Sequence, residues 1–76
     1  MKAITFEKSI KSQIEALKEE QRKKPCKFNS CLYTTASAYS DLVDDLYHAG
    51  ELSQQTHSAL TLYLYKAQDF ACGIDE

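Results

Sequence analysis

Seventy-six residues make one small domain, near the lower limit for a chain that folds alone, where a core rarely yields more than about 3–5 kcal/mol of net stability without a staple or a partner. Hydrophobic residues make up 43% and charged residues 26%, which excludes a disordered chain, and one Pro with two Gly is too little turn chemistry for a many-stranded β fold. The net charge of only −2 conceals a polarity: residues 1–29 carry eight Lys/Arg against four Glu, and residues 30–76 carry one Lys against seven acids, so the two parts are expected to attract each other within one fold or across a dimer.

A first helix is expected from about Phe6 to Lys23. Thr5 offers a hydroxyl to a free N–H of the first turn as N-cap. Phe6, Ile10, Ile14 and Leu17 recur at spacings of four, four and three and make one narrow apolar stripe. The pairs Glu7–Lys11, Glu19–Lys23 and Glu20–Lys24 set an acid four residues before a base, each adding roughly 0.2–0.5 kcal/mol. Pro25 then disfavours helical geometry at Lys24 and ends the element.

Residues 24–29 read as a linker. Asn29 or Ser30 can cap a second helix from about Cys31 to Ala49, with Leu32, Ala36, Tyr39, Leu42, Val43 and Leu46 as its apolar stripe. Gly50 stands where a left-handed residue closes a helix. Ser53 caps a third helix, about Gln54 to Ala71, whose inner side is expected to be Leu60, Tyr63, Leu64, Ala67 and Phe70, and Gly73 takes the C′ position. Leu60-Thr61-Leu62-Tyr63-Leu64-Tyr65 alternates as a strand would, but neither flank has the Gly or Pro to bound one, and a continuous helix needs fewer assumptions. The fold class is therefore all-α: a three-helix domain, an amphipathic N-terminal helix followed by an antiparallel helical hairpin, in one domain spanning 1–76.

The short Gly50–Leu52 link makes the hairpin antiparallel, so facing positions sum to about 103. Tyr39 then faces Leu64, Val43 faces Leu60, and Cys31 lies near Cys72, the pair expected to cross-link most readily under oxidation. A zinc site would have to draw on Cys26, Cys31, Cys72, His48 and His57. The hairpin separates the thiols from the imidazoles by roughly 25 Å, and three thiols lack a fourth ligand. No metal or other cofactor is expected, and the cysteines are read as reduced, small, partly buried hydrophobes. Asp41, Asp44, Asp45, His48 and Glu51 gather on the outer side of the second helix, where a solvated acidic row supplies neither a dry pocket nor a nucleophile. Neither Gly lies between a strand and a helix as a phosphate loop requires. No catalytic residue is identified, and the chain is not expected to be an enzyme.

Leu52-Ser-Gln-Gln-Thr-His-Ser-Ala-Leu60 resembles the opening of a helix-turn-helix recognition helix, which implies contact with a nucleic acid. His57 stands where that motif carries an apolar residue, Glu51 occupies its turn-glycine position, and the helix has no Arg or Lys before Lys66. A nucleic acid, or an acidic partner, would instead meet Arg22, Lys23, Lys24 and Lys27, with Phe28 and Tyr33 nearby for stacking.

The remaining signal is apolar area left over once three helices have packed. Leu62 and Tyr65, neighbours at i,i+3, point away from the inner side of the third helix, and Tyr33 and Tyr47 leave the stripe of the second. Tyrosine offers large contact area at low entropy cost and is enriched at protein interfaces. These four residues are the expected contact with another protein. The reading is a non-catalytic inhibitor, adaptor or regulator, self-associating as a dimer, of the kind that phages and plasmids encode as accessory proteins. The alternative is a nucleic-acid-binding regulator using segment 22–27 and a degenerate helix-turn-helix-like hairpin. No apolar run approaches a signal peptide or a membrane span, so a cytoplasmic address and no membrane partner are expected.

Overall fold

A computed structural model of the chain describes residues 3–73, with side chains from Phe6 onward. Its helices are α1 (Ala3–Lys23), α2 (Ser30–His48) and α3 (Gln54–Ala71), and the described residues contain no strand. The alternating run 60–65 lies wholly inside α3.

α1 starts earlier than expected, so Thr5 lies within the helix and does not cap it. The physical reason is local: neither Ala3 nor Ile4 breaks a helix, and Ala is the strongest helix former. At the other end, the N–H of Lys24 still reaches the Glu20 carbonyl at 3.0 Å before Pro25 stops the turn. Glu7 and Lys11 pair at 3.1 Å as expected, whereas Glu19 turns to Arg22 at 3.4 Å and not to Lys23.

The hairpin ends are closed by side chains and glycines. Asn29 is the N-cap of α2, its Oδ1 accepting from the N–H of Leu32 at 3.1 Å. After Ala49, Gly50 takes φ 81°; its N–H donates to the Tyr47 carbonyl at 3.0 Å and that of Glu51 to the Leu46 carbonyl at 2.9 Å. This pair of bonds is the Schellman closure, and its left-handed residue is why a glycine stands there. Ser53 then caps α3, accepting from the N–H of Thr56 at 3.1 Å.

The core is drawn from all three helices: Phe6, Ile10 and Ile14; Leu32, Ala36 and Val43; Leu60, Leu64, Ala67 and Ala71; with Leu52 sealing the turn end of the hairpin. Leu17, Tyr39, Leu46, Tyr63 and Phe70 pack around its margin. Leu42, expected in the α2 stripe, is exposed instead. One helix covers that flank of the hairpin, and its cover reaches Tyr39 and Leu46 but not the residue one step further round.

α1 is fastened to α3 by polar side chains as well as by the core. The Tyr63 hydroxyl donates to Glu15 Oε2 at 2.6 Å. Lys18, only 5% exposed, holds its ammonium 3.6 Å from that same oxygen and over the rings of Tyr63 (5.5 Å) and Phe70 (5.4 Å). Gln21 Nε2 donates to the Phe70 carbonyl at 2.8 Å, while its buried Oε1 has no hydrogen-bond partner among the described residues. Since Glu15 meets Tyr63 and Gln21 meets Phe70, α1 runs in the same direction as α3, and their C-terminal ends share one pole of the molecule. No helix among the described residues is long and apolar enough to cross a membrane.

Candidate protein-interaction surface

The side of the hairpin that α1 leaves uncovered is defined by contacts at its edges. On α3, Tyr63 and Phe70 look toward α1. His57 looks the other way: its Nε2 donates to Asp44 Oδ1 at 2.6 Å, and its ring stacks on Tyr47 with centroids 4.3 Å apart. Thr61 and Tyr65 follow His57 at four-residue steps, so they continue the same flank of α3. On α2 the matching flank runs through Tyr33, Ser37, Ser40, Asp44 and Tyr47, at spacings of four, three, four and three. The two flanks meet in a seam of Ser, Thr and Tyr on the side away from α1.

Three of the four residues expected to contact a protein partner, Tyr33, Tyr47 and Tyr65, follow this seam by helical spacing, and Leu62 sits one turn before Tyr65. Leu62 is 57% exposed and Tyr65 55%, while Tyr33 is exposed to a smaller degree. Tyr47 is half-buried, its ring lying between those of His57 and His48. Phe28, exposed in the linker, packs on Tyr33 at 5.5 Å and extends the aromatic surface to the end of the hairpin. The cross-hairpin contacts Asp44–His57 and Asn29–Ala71 put Tyr33 within about one helical turn of Tyr65 along the axis. Leu62, Tyr65, Tyr33 and Phe28 thus form a diagonal of large side chains across the uncovered side.

Charge is segregated along the long axis of the molecule. Arg22, Lys23, Lys24 and Lys27 are all exposed at the pole where α1 and α3 end and α2 begins. Asp41, Asp44 and Asp45 are exposed roughly 16–23 Å along α2 from its start, and Glu51 is exposed in the turn beyond its end. Arg22 is partly engaged, paired with Glu19 and stacked over Phe70 at 5.3 Å. The opening of α3 that resembles a recognition helix lies beside this acidic row, with His57 turned into the hairpin. α2 and α3 lie side by side and antiparallel, whereas a helix-turn-helix pair crosses at about 90–120°.

Cys26, Cys31 and Cys72 are all exposed, which corrects the expectation that they are partly buried. Each lies at a helix end or in the linker, where no third element covers it. Cys31 shares an exposed stripe of α2 with Ala38, Leu42 and Asp45, turned from α3. The linker passes α3 closely instead: the Asn29 N–H donates to the Ala71 carbonyl at 2.8 Å, and the Lys27 carbonyl lies 3.6 Å from the Cβ position of Gly73. Among the described residues no three His, Cys, Asp or Glu gather as a metal-holding group. An open groove between α1 and α2 is lined by Lys8, Ser9, Ser12, Gln13 and Tyr39.

The aromatic diagonal was half legible in the sequence. Periodicity alone marked Leu62, Tyr65 and Tyr33 as off-stripe, but not Phe28, which belongs to no helix. Comparison of the chain with protein-family models, curated proteins and solved structures found no match.

Proposed function

We propose that the chain is a non-catalytic binding protein, an inhibitor, adaptor or regulator, that engages another protein chain through the uncovered side of its α2–α3 hairpin. The observation that carries this reading is the exposure of Leu62, Tyr65, Tyr33 and Phe28 on one side of a domain whose core is small. Large side chains left in water on a single face are the usual mark of an interface, whereas scattered ones need no explanation. Tyr and Phe supply contact area at low entropy cost, and aromatic residues are enriched at protein interfaces.

A second reading, contact with nucleic acid, is favoured by the Phe28–Tyr33 pair standing beside Lys23, Lys24 and Lys27. It is disfavoured by the acids that flank the start of α3 and by the absence of any Arg or Lys in that helix before Lys66. Salt separates the two. Immobilised wild-type chain should hold its protein partner with little loss as salt is raised, and the Leu62→Ser/Tyr65→Ser variant should not hold it. Binding that falls steeply with salt, survives the double change and is lost on Lys23→Ala/Lys24→Ala/Lys27→Ala would establish the second reading.

A further inference from the structure

We infer that the occupant of the uncovered hairpin side is a second copy of this chain, set antiparallel to the first about a twofold axis passing near Leu62 and Tyr65. The inference rests on the reading of that side as an interface and names what covers it.

A twofold interface must be self-complementary, since each patch meets its own image. The hairpin satisfies this in two respects. Its middle presents Leu62 and Tyr65, both more than half exposed near the centre of α3 with Lys66 beside them, so a twofold axis there sets Leu–Tyr against Leu–Tyr. Its ends carry opposite charge: Lys27 at the linker pole, Asp44 and Glu51 toward the turn pole, all exposed. An antiparallel copy lays the linker of one chain over the α2–α3 turn of the other, twice, so each basic end meets an acidic one. A parallel arrangement would set like charge on like charge at both ends.

The size is also adequate. The molecule measures 38 × 18 × 18 Å, and one long side of that body approaches the roughly 800 Å² per partner of a standard interface. Phe28 and Tyr33, which lie off the axis toward the linker pole, then cover the start of α3 in the second copy, where Gln54, Gln55 and Ser58 present small or uncharged polar groups.

Lys27 and Glu51 test this arrangement, because they stand in the linker and the turn, at the two extremes of the hairpin, and both are exposed. Sedimentation of the full chain should show reversible self-association that largely persists as salt is raised, because its centre is the Leu62–Tyr65 contact. Leu62→Ser/Tyr65→Ser should leave a monomer of unchanged helical circular dichroism. Lys27→Glu and Glu51→Lys should each weaken association by about tenfold, and the two together should restore most of it, since the reversed ends again meet opposite charge. Recovery only on mixing the two single variants, and not in the double one, would contradict the antiparallel arrangement. A wild-type chain that stays monomeric, while capture of a different protein still depends on Leu62 and Tyr65, would overturn the second copy and leave the interface reading intact. Self-association unaffected by Leu62→Ser/Tyr65→Ser would overturn both.

Discussion

Lys18 and its neighbours are the clearest case of chemistry that a periodic reading of residues does not capture. The lysine follows Ile14 by one turn, which is where an apolar residue would continue the stripe. Its four methylenes fill that role while the ammonium meets two rings and a carboxylate. Glu15 is held below its ordinary pKa of 4.5, chiefly by the Tyr63 hydroxyl; burial opposes this next, and Lys18 and then Arg22 add to the lowering. A carboxylate depressed in the folded state stabilises it above the unfolded pKa, and that contribution is lost as pH falls below 4.5 through the folded value. Tyr63→Phe should therefore raise the Glu15 pKa toward 4.5, a change that carbon-detected NMR titration of the carboxyl would read directly. Leu42 and Leu52 mark the opposite failure: type and spacing made the first a core residue and passed over the second. Which flank of α2 a third helix reaches, and what seals a turn, are set by tertiary packing that spacing cannot express.

The helix termini, in contrast, were readable almost to the residue. Asn29, Gly50, Ser53 and Gly73 each perform at a terminus the role that their chemistry suggests. The exception is the start of α1, where Thr5 has capping chemistry but nothing upstream obliges the helix to begin there. Asn29→Ala and Ser53→Ala should each cost roughly 1 kcal/mol by urea denaturation, because each leaves a first-turn N–H without its side-chain acceptor. Gly50→Ala should cost about as much for a different reason. A Cβ at Gly50 would meet nothing within 4 Å, so the loss comes wholly from holding an L-residue at φ 81°. If Gly50→Ala were neutral, the turn would be able to close without a left-handed residue, and the registration of α2 on α3 would no longer follow from it.

For the whole molecule, the sequence conveyed the architecture and the segregation of charge but not their relation. Basic and acidic stretches were expected to attract each other, and the fold brings Glu15 and Lys18 of α1 onto the aromatic flank of α3 while leaving Lys23, Lys24 and Lys27 exposed at one pole and Glu51 at the other. Because α1 runs parallel to α3, its basic end meets the end of the hairpin that is poor in acid, and the opposite charges remain far apart along the long axis. That residual polarity, with the aromatic diagonal between its ends, is what an antiparallel second copy would use. Mass action offers the most direct test. The urea midpoint of the wild-type chain should rise with protein concentration, since association stabilises only the folded state. The Leu62→Ser/Tyr65→Ser chain should unfold at one midpoint at every concentration, equal within about 0.5 kcal/mol to that of dilute wild type. A dilute variant already destabilised by the roughly 2–5 kcal/mol of a core truncation, with its concentration dependence intact, would mean that Leu62 and Tyr65 belong to the core and that the interface lies elsewhere.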